Sequence, residues 1–165
     1  MMEYSVTMKN ATIALTPATK VYSVFINPAA APKPNLNFIR AWMSQSSTAT
    51  SAQLAVVIEQ VSTTFGTYTS TTPVALKQAG PVSTIAGGAA GAAGTSGTNS
   101  SAAAAGTIVN FITDNFNNLN GYLWVATPKE LITAPAGASS GVGIGLITTP
   151  SNLGNWSAGL IYSEE

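Results

Sequence analysis

Residues 137–141 read Gly137-Ala138-Ser139-Ser140-Gly141, the G-x-S-x-G spacing of a nucleophile elbow. Such a serine sits on a sharp strand-to-helix turn and gives up its proton to a histidine. The chain has no His and no Cys. The base is missing and no thiolate can replace the serine, so the pattern reads as a coincidence of small residues. Glycoside cleavage needs two acids flanking the scissile bond. The acids are Glu3, Glu59, Asp114, Glu130, Glu164 and Glu165. One is near the start and two are at the end, and the other three read as surface charges that keep a neutral chain in solution. Asp114 to Asn120 (DNFNNLN) offers oxygen ligands but lacks the alternating acids and closing Glu of a calcium loop. Asn runs of this kind are turns, because their side chains bond their own backbone and tolerate left-handed conformations. Neither Gly88, Gly91, Gly94 and Gly97 nor Gly141-Val142-Gly143-Ile144-Gly145 has the following helix and Lys of a phosphate cradle. No catalytic residue, metal site or cofactor is expected.

Composition narrows the partners further. Six Lys+Arg balance six Asp+Glu over 165 residues, and only 7% of residues are charged, against roughly a quarter in soluble domains. Scattered cations at zero net charge exclude the basic footprint of a nucleic-acid binder. No run approaches the roughly 18 apolar residues of a membrane helix. The start, Met1 to Thr7, carries an acid and no basic segment, unlike a signal peptide. Asn-x-Ser/Thr sequons at Asn10, Asn99 and Asn155 are what chance provides in a chain this rich in Ser and Thr. What remains for function is a set of large amphipathic side chains, Trp42, Tyr122, Trp124, Trp156 and Tyr162. Core packing, burial at a subunit contact and stacking against carbohydrate are all open to them.

The elements that would position them are strands. Lys20 to Asn27 is β-branched and aromatic on both faces, suits a central strand, and is stopped by Pro28. Pro28, Pro32 and Pro34 make a stiff connector. In Phe38 to Ser46 the alternation puts Ile39, Ala41 and Met43 on one face and Phe38, Arg40, Trp42 and Ser44 on the other. Gln53 to Ser62 groups Leu54, Val56 and Ile58 inward, and its β-branched residues favour strand over helix. Ser62 to Thr72 reads as a long loop or hairpin tip around Phe65-Gly66, and a short Val74–Lys77 piece follows. Ala86 to Gly106 is low-complexity Ala/Gly/Ser/Thr; its glycine period has no Pro and is too short for a collagen helix, so it is expected to be an exposed loop. Thr107 to Thr113 resumes as strand, Asn120-Gly121 turns, and Tyr122–Val125 and Glu130–Thr133 are short extended pieces. Gly141 to Thr148 aligns Val142, Ile144 and Leu146 opposite three glycines, which calls for a backbone or flat ring close against the glycine face. Trp156, Ala158, Leu160 and Tyr162 share one face of a closing strand. The expectation is an all-β chain, a β-sandwich or jelly roll of about eight antiparallel strands, forming one domain over 1–165. Residues 1–35 stay open as an arm or extra strands.

One further likeness runs through the chain. Phe38-Ile39-Arg40 leads to Ser44-Gln45-Ser46-Ser47, followed by the Leu54–Val61 strand, Thr72-Pro73 and the Ala/Gly-rich insert. The second half adds Phe116-Asn117, Gly121-Tyr122-Leu123-Trp124, Thr127-Pro128-Lys129-Glu130, Pro135-Ala136-Gly137 and Leu160-Ile161-Tyr162-Ser163-Glu164-Glu165. On these residues, from Phe38 to Glu165, the chain resembles the head-decoration or cement proteins of tailed bacteriophages. The resemblance implies a non-enzymatic virion protein on the capsid exterior, bound to the major capsid protein and to itself as a homo-oligomer, typically a trimer. Trp42, Phe116, Tyr122, Trp124 and Trp156 are the candidate subunit or capsid contacts. A fibre or adhesin module binding host-surface carbohydrate is the alternative, and an accessory domain of an enzyme is a third reading.

Overall fold

Runs of Val, Ile, Tyr, Phe and Trp punctuated by Pro, Gly and Asn leave little scope for helix. In the computed structural model, residues 1–12, 21–30, 35–46, 50–61, 68–88, 92–100, 107–137, 141–147 and 154–165 are described, and they contain thirteen strands and no helix. Phe65-Gly66, Pro32 and Pro34, and Ser139 and Ser140 lie outside the described residues. Eight strands form the body: β1 (Met2–Thr12), β2 (Val21–Asn27), β3 (Leu36–Gln45), β4 (Gln53–Val61), β9 (Ile108–Asn117), β10 (Tyr122–Val125), β12 (Gly141–Leu146) and β13 (Asn155–Glu164). Five short ones are added: β5 (Thr69–Ser70), β6 (Val74–Ala75), β7 (Ala86–Gly87), β8 (Thr95–Thr98) and β11 (Ile132–Ala134). The count of about eight is therefore corrected to thirteen.

The strands pair into two sheets. The first runs β10-β3-β13-β1-β6, with β11 also on β3; the second runs β5-β8-β2-β12-β4-β9, with β7 on β8. Pairing is antiparallel except between β7 and β8. Taken alone, the eight body strands wind in chain order as 1-8-3-6 over 2-7-4-5, which is jelly-roll winding. The inner faces meet in one core. Tyr4, Val6, Met8, Leu36, Phe38, Met43, Trp156, Leu160 and Tyr162 come from the first sheet, and Val24, Ile26, Leu54, Val56, Ile58, Val142, Ile144 and Leu146 from the second. The alternation expected for β4, β12 and β13 holds throughout.

Three local expectations are corrected. In β3 a bulge sets Ile39 beside Arg40 opposite Ile161, so Phe38 faces inward with Ala41 and Met43, and Ile39 turns out. The extra residue flips the phase of the alternation. The Asn-rich turn is shorter than Asp114–Asn120, since β9 continues to Asn117 on the ladder with β4. Within the Ala86–Gly106 insert, β7 and β8 are strands, and all four residues of β8 are buried. Thr, Ser and Gly give no apolar period, yet their small side chains let the backbone of β8 pair closely with the edge of β2. Residues 2–12, left open as arm or strand, are a full strand between β13 and β6.

A flat ring lies on a bare glycine in β8. Gly97, Phe25, Gly143 and Glu59 stand in register across the outer face of the second sheet. Tyr68 lies on Gly97, so closely that a Cβ there would collide with its ring, and its centroid is 6.1 Å from that of Phe25.

Candidate functional site

The carboxylates are dispersed. Glu59 is buried on the outer face of the second sheet, Asp114 caps the Asn115 amide from β9, and Glu130 accepts the Thr127 hydroxyl in a surface turn. Among the described residues no three His, Cys, Asp or Glu side chains come together as a metal site would require. The expectation of a surface charge is thus corrected for Glu59, which is buried. Glu164, at the end of β13, has a structural task. Its carboxylate accepts the Ser83 hydroxyl and the Thr84 amide, while the Ser83 and Tyr162 hydroxyls bond at 2.6 Å. This pins the 76–85 segment to the end of β13. Burial raises the Tyr162 hydroxyl well above its ordinary range, opposed by the Ser83 bond and assisted by the Glu164 and Tyr4 charges. Tyr4 is raised as well, by burial and then by Glu164.

The five candidate aromatic residues separate into three places. Trp156, Phe116 and Tyr122 are core. Phe116 meets Trp156 edge-on at 6.4 Å and Tyr122 at 5.9 Å, sealing the end of the sandwich beneath the β9–β10 turn. That turn is built by asparagine. Asn117 Oδ1 accepts the Leu119 amide, and Gly121 takes φ +72° to start β10. Asn118 reaches across instead: its amide group donates to Gln45 Oε1 and Thr50 O, and its Oδ1 accepts the Ala52 amide. Trp42 lies half-buried on the outer face of the first sheet, and Trp124 lines a cleft between the sheets.

That cleft identifies a surface the aromatic residues alone did not. Because only a short turn joins them, β9 and β10 end their respective sheets on the same side. Between them opens a cleft of about 430 Å³ lined by Phe111, Ile112, Trp124, Glu130 and Ile132. Phe111 is exposed at the cleft. Ile108 and Val109 on β9, Leu119 in the turn, Leu123 and Val125 on the outward face of β10, and Leu131 are exposed on the same side of the molecule, Leu123 to 64%. Elsewhere among the described residues the exposed large apolar side chains are Met1, Val74, Leu76 and Val82, so this side concentrates them. The residues were visible in the sequence as strand formers; nothing in it told that no further strand would cover them.

Fold and surface together define a class: an all-β sandwich of jelly-roll winding with one side rich in exposed apolar side chains. Comparisons with family models, with curated proteins and with solved structures found no match for the chain.

Proposed function

We propose that the protein is a non-enzymatic structural component that decorates or cements the outer surface of a bacteriophage capsid, docking through its open β9–β10 side. The observation that carries the docking is the concentration of exposed apolar side chains on this side: Phe111 at the cleft, Ile108 further along β9, Leu123 and Val125 on the outward face of β10, and Leu131. Large apolar side chains left exposed together on one side of a domain are a mark of protein association. The placement on a capsid comes from the resemblance of residues 38–165. Jelly-roll winding occurs in capsid and lectin domains, which agrees with the reading without assigning it. Each bound copy would bury this margin against the major capsid protein or a second copy and so add linkage energy to the shell. Self-association into a homo-oligomer, a trimer by resemblance, belongs to the same proposal.

With six cations and six anions in the whole chain, the contact has few ion pairs to screen. Binding should therefore weaken little from low to high salt. The test is to heat purified capsids with and without the protein. A higher melting temperature with it supports cementing, and equal temperatures leave decoration alone. Absence of the protein from purified capsids overturns both. Light scattering that gives a mass near 16.7 kDa at micromolar concentration overturns the oligomer.

A further inference from the structure

On the outer face of the first sheet, four residues stand in one row across four strands: Leu123, Trp42, Gly159 and Thr7. Gly159 has no side chain, and the indole of Trp42 lies over it. A Cβ at Gly159 would overlap Cζ2, Cη2 and Cε2 of the ring. The six-membered half of the indole therefore packs over Gly159, and the side chain as a whole is half-exposed. Where the row reaches Thr7, a groove of about 320 Å³ opens, lined by Ser5, Thr7, Lys9, Thr71, Thr72 and Val74. Thr71 is occupied with Thr69 and Thr98. The hydroxyls of Ser5, Thr7 and Thr72 bond no protein group among the described residues, and Lys9 is exposed.

A flat ring beside a row of unspent hydroxyls is a chemical match to a sugar. One face of a pyranose is a patch of C–H groups that rests on the electron-rich face of an indole. Its rim is hydroxyls that both donate and accept, as Ser and Thr do. Trp42 and Thr7 are two strand spacings apart, about 10 Å, with the indole spanning the first. That distance holds two linked rings, one on Trp42 and the next in the groove. We propose that this face binds an oligosaccharide, with Trp42 as the stacking platform and Ser5, Thr7 and Thr72 as hydrogen-bonding partners. Lys9 is the one charged residue lining the groove, so a uronate in the second position binds better than a neutral sugar. The site does not rest on the capsid reading: Trp42 neighbours Leu123, but the groove residues Thr7 and Lys9 stand on β1, three strands from β10.

The experiment uses the full chain on an array of neutral hexose, N-acetylhexosamine and uronate oligosaccharides, followed by calorimetric titration of the best ligand. The wild type should retain uronate oligosaccharides most strongly. Trp42→Ala should weaken binding by roughly tenfold, the value of one aromatic stack. Thr7→Val keeps shape and strand propensity, so the chain folds; it should lose affinity severalfold while capsid binding is unchanged. Lys9→Gln should remove the preference for uronate. No retention of any sugar class by the wild type overturns the site. Unchanged affinity in Thr7→Val overturns the groove whatever Trp42→Ala does.

Discussion

On one side of the sandwich, β1 and β2 are continued outward, by β6 in the first sheet and by β8 with β5 in the second. On the other, β9 and β10 end their sheets with no further strand beyond them among the described residues. The closed side is covered by a Ser/Thr/Gly-rich insert, and the open side is fringed by Ile, Val, Phe and Leu. The contrast runs against the intuition that apolar residues do the covering. A sheet edge needs backbone donors and acceptors, and small side chains let a backbone come close enough to supply them. Large apolar side chains protect nothing unless another surface meets them.

The sharpest way to probe this contrast is beneath the open side. Trp156, fully buried against Phe116, should cost about 3–5 kcal/mol when cut to Ala, read from urea midpoints. On the closed side, Gly97→Ala drives Tyr68 off Phe25 and from its bond to Thr95. The expected loss is about 1–3 kcal/mol, with quenching of Tyr68 by acrylamide rising in parallel. If Gly97→Ala is neutral, the insert is not a cover.

Alkali tests the pinned segment of the closed side. Burial holds Tyr4 and Tyr162 protonated above the ordinary range, so above about pH 10 the unfolded chain releases protons that the folded one keeps. Stability should be flat in this respect below that pH and fall above it, by up to about 1.4 kcal/mol per pH unit for each tyrosine. Tyr162→Phe should reduce the slope. The smallest effect belongs to the open margin. Leu123→Ser with Val125→Ser should change stability by less than about 0.5 kcal/mol each, yet abolish self-association or capsid binding. A large loss of stability would mean these side chains are covered within the monomer.

Much of the body was legible because alternation is a direct record of which face is buried: Leu54, Val56 and Ile58, or Trp156, Ala158, Leu160 and Tyr162, needed no more. The β3 bulge was not, since one inserted residue leaves the composition unchanged while reversing the faces. Strand β8 was invisible for a different reason. Thr95-Ser96-Gly97-Thr98 owes its conformation to the edge of β2, and a partner distant in sequence leaves no local trace. The same limit applied to function. Trp42 stood out as a large aromatic residue, but its value as a platform depends on Gly159 and Thr7, from two strands at opposite ends of the chain. Trp156 and Phe116 stood out equally and turned out to be core.

The ladder of β1 with β13, from Met2 opposite Glu164 to Thr12 opposite Asn155, has a kinetic consequence. The last strand lies between β1 and β3, so these two cannot be joined until a segment about 150 residues away in sequence has arrived. Bringing such distant segments together carries a large loop-closure entropy before any contact offsets it. Folding should accordingly be slow, on the millisecond-to-second scale of high-contact-order β proteins. Until β13 inserts, the edges of β1 and β3 stay available to other chains. Refolding yield should therefore fall with protein concentration even where the native state is stable.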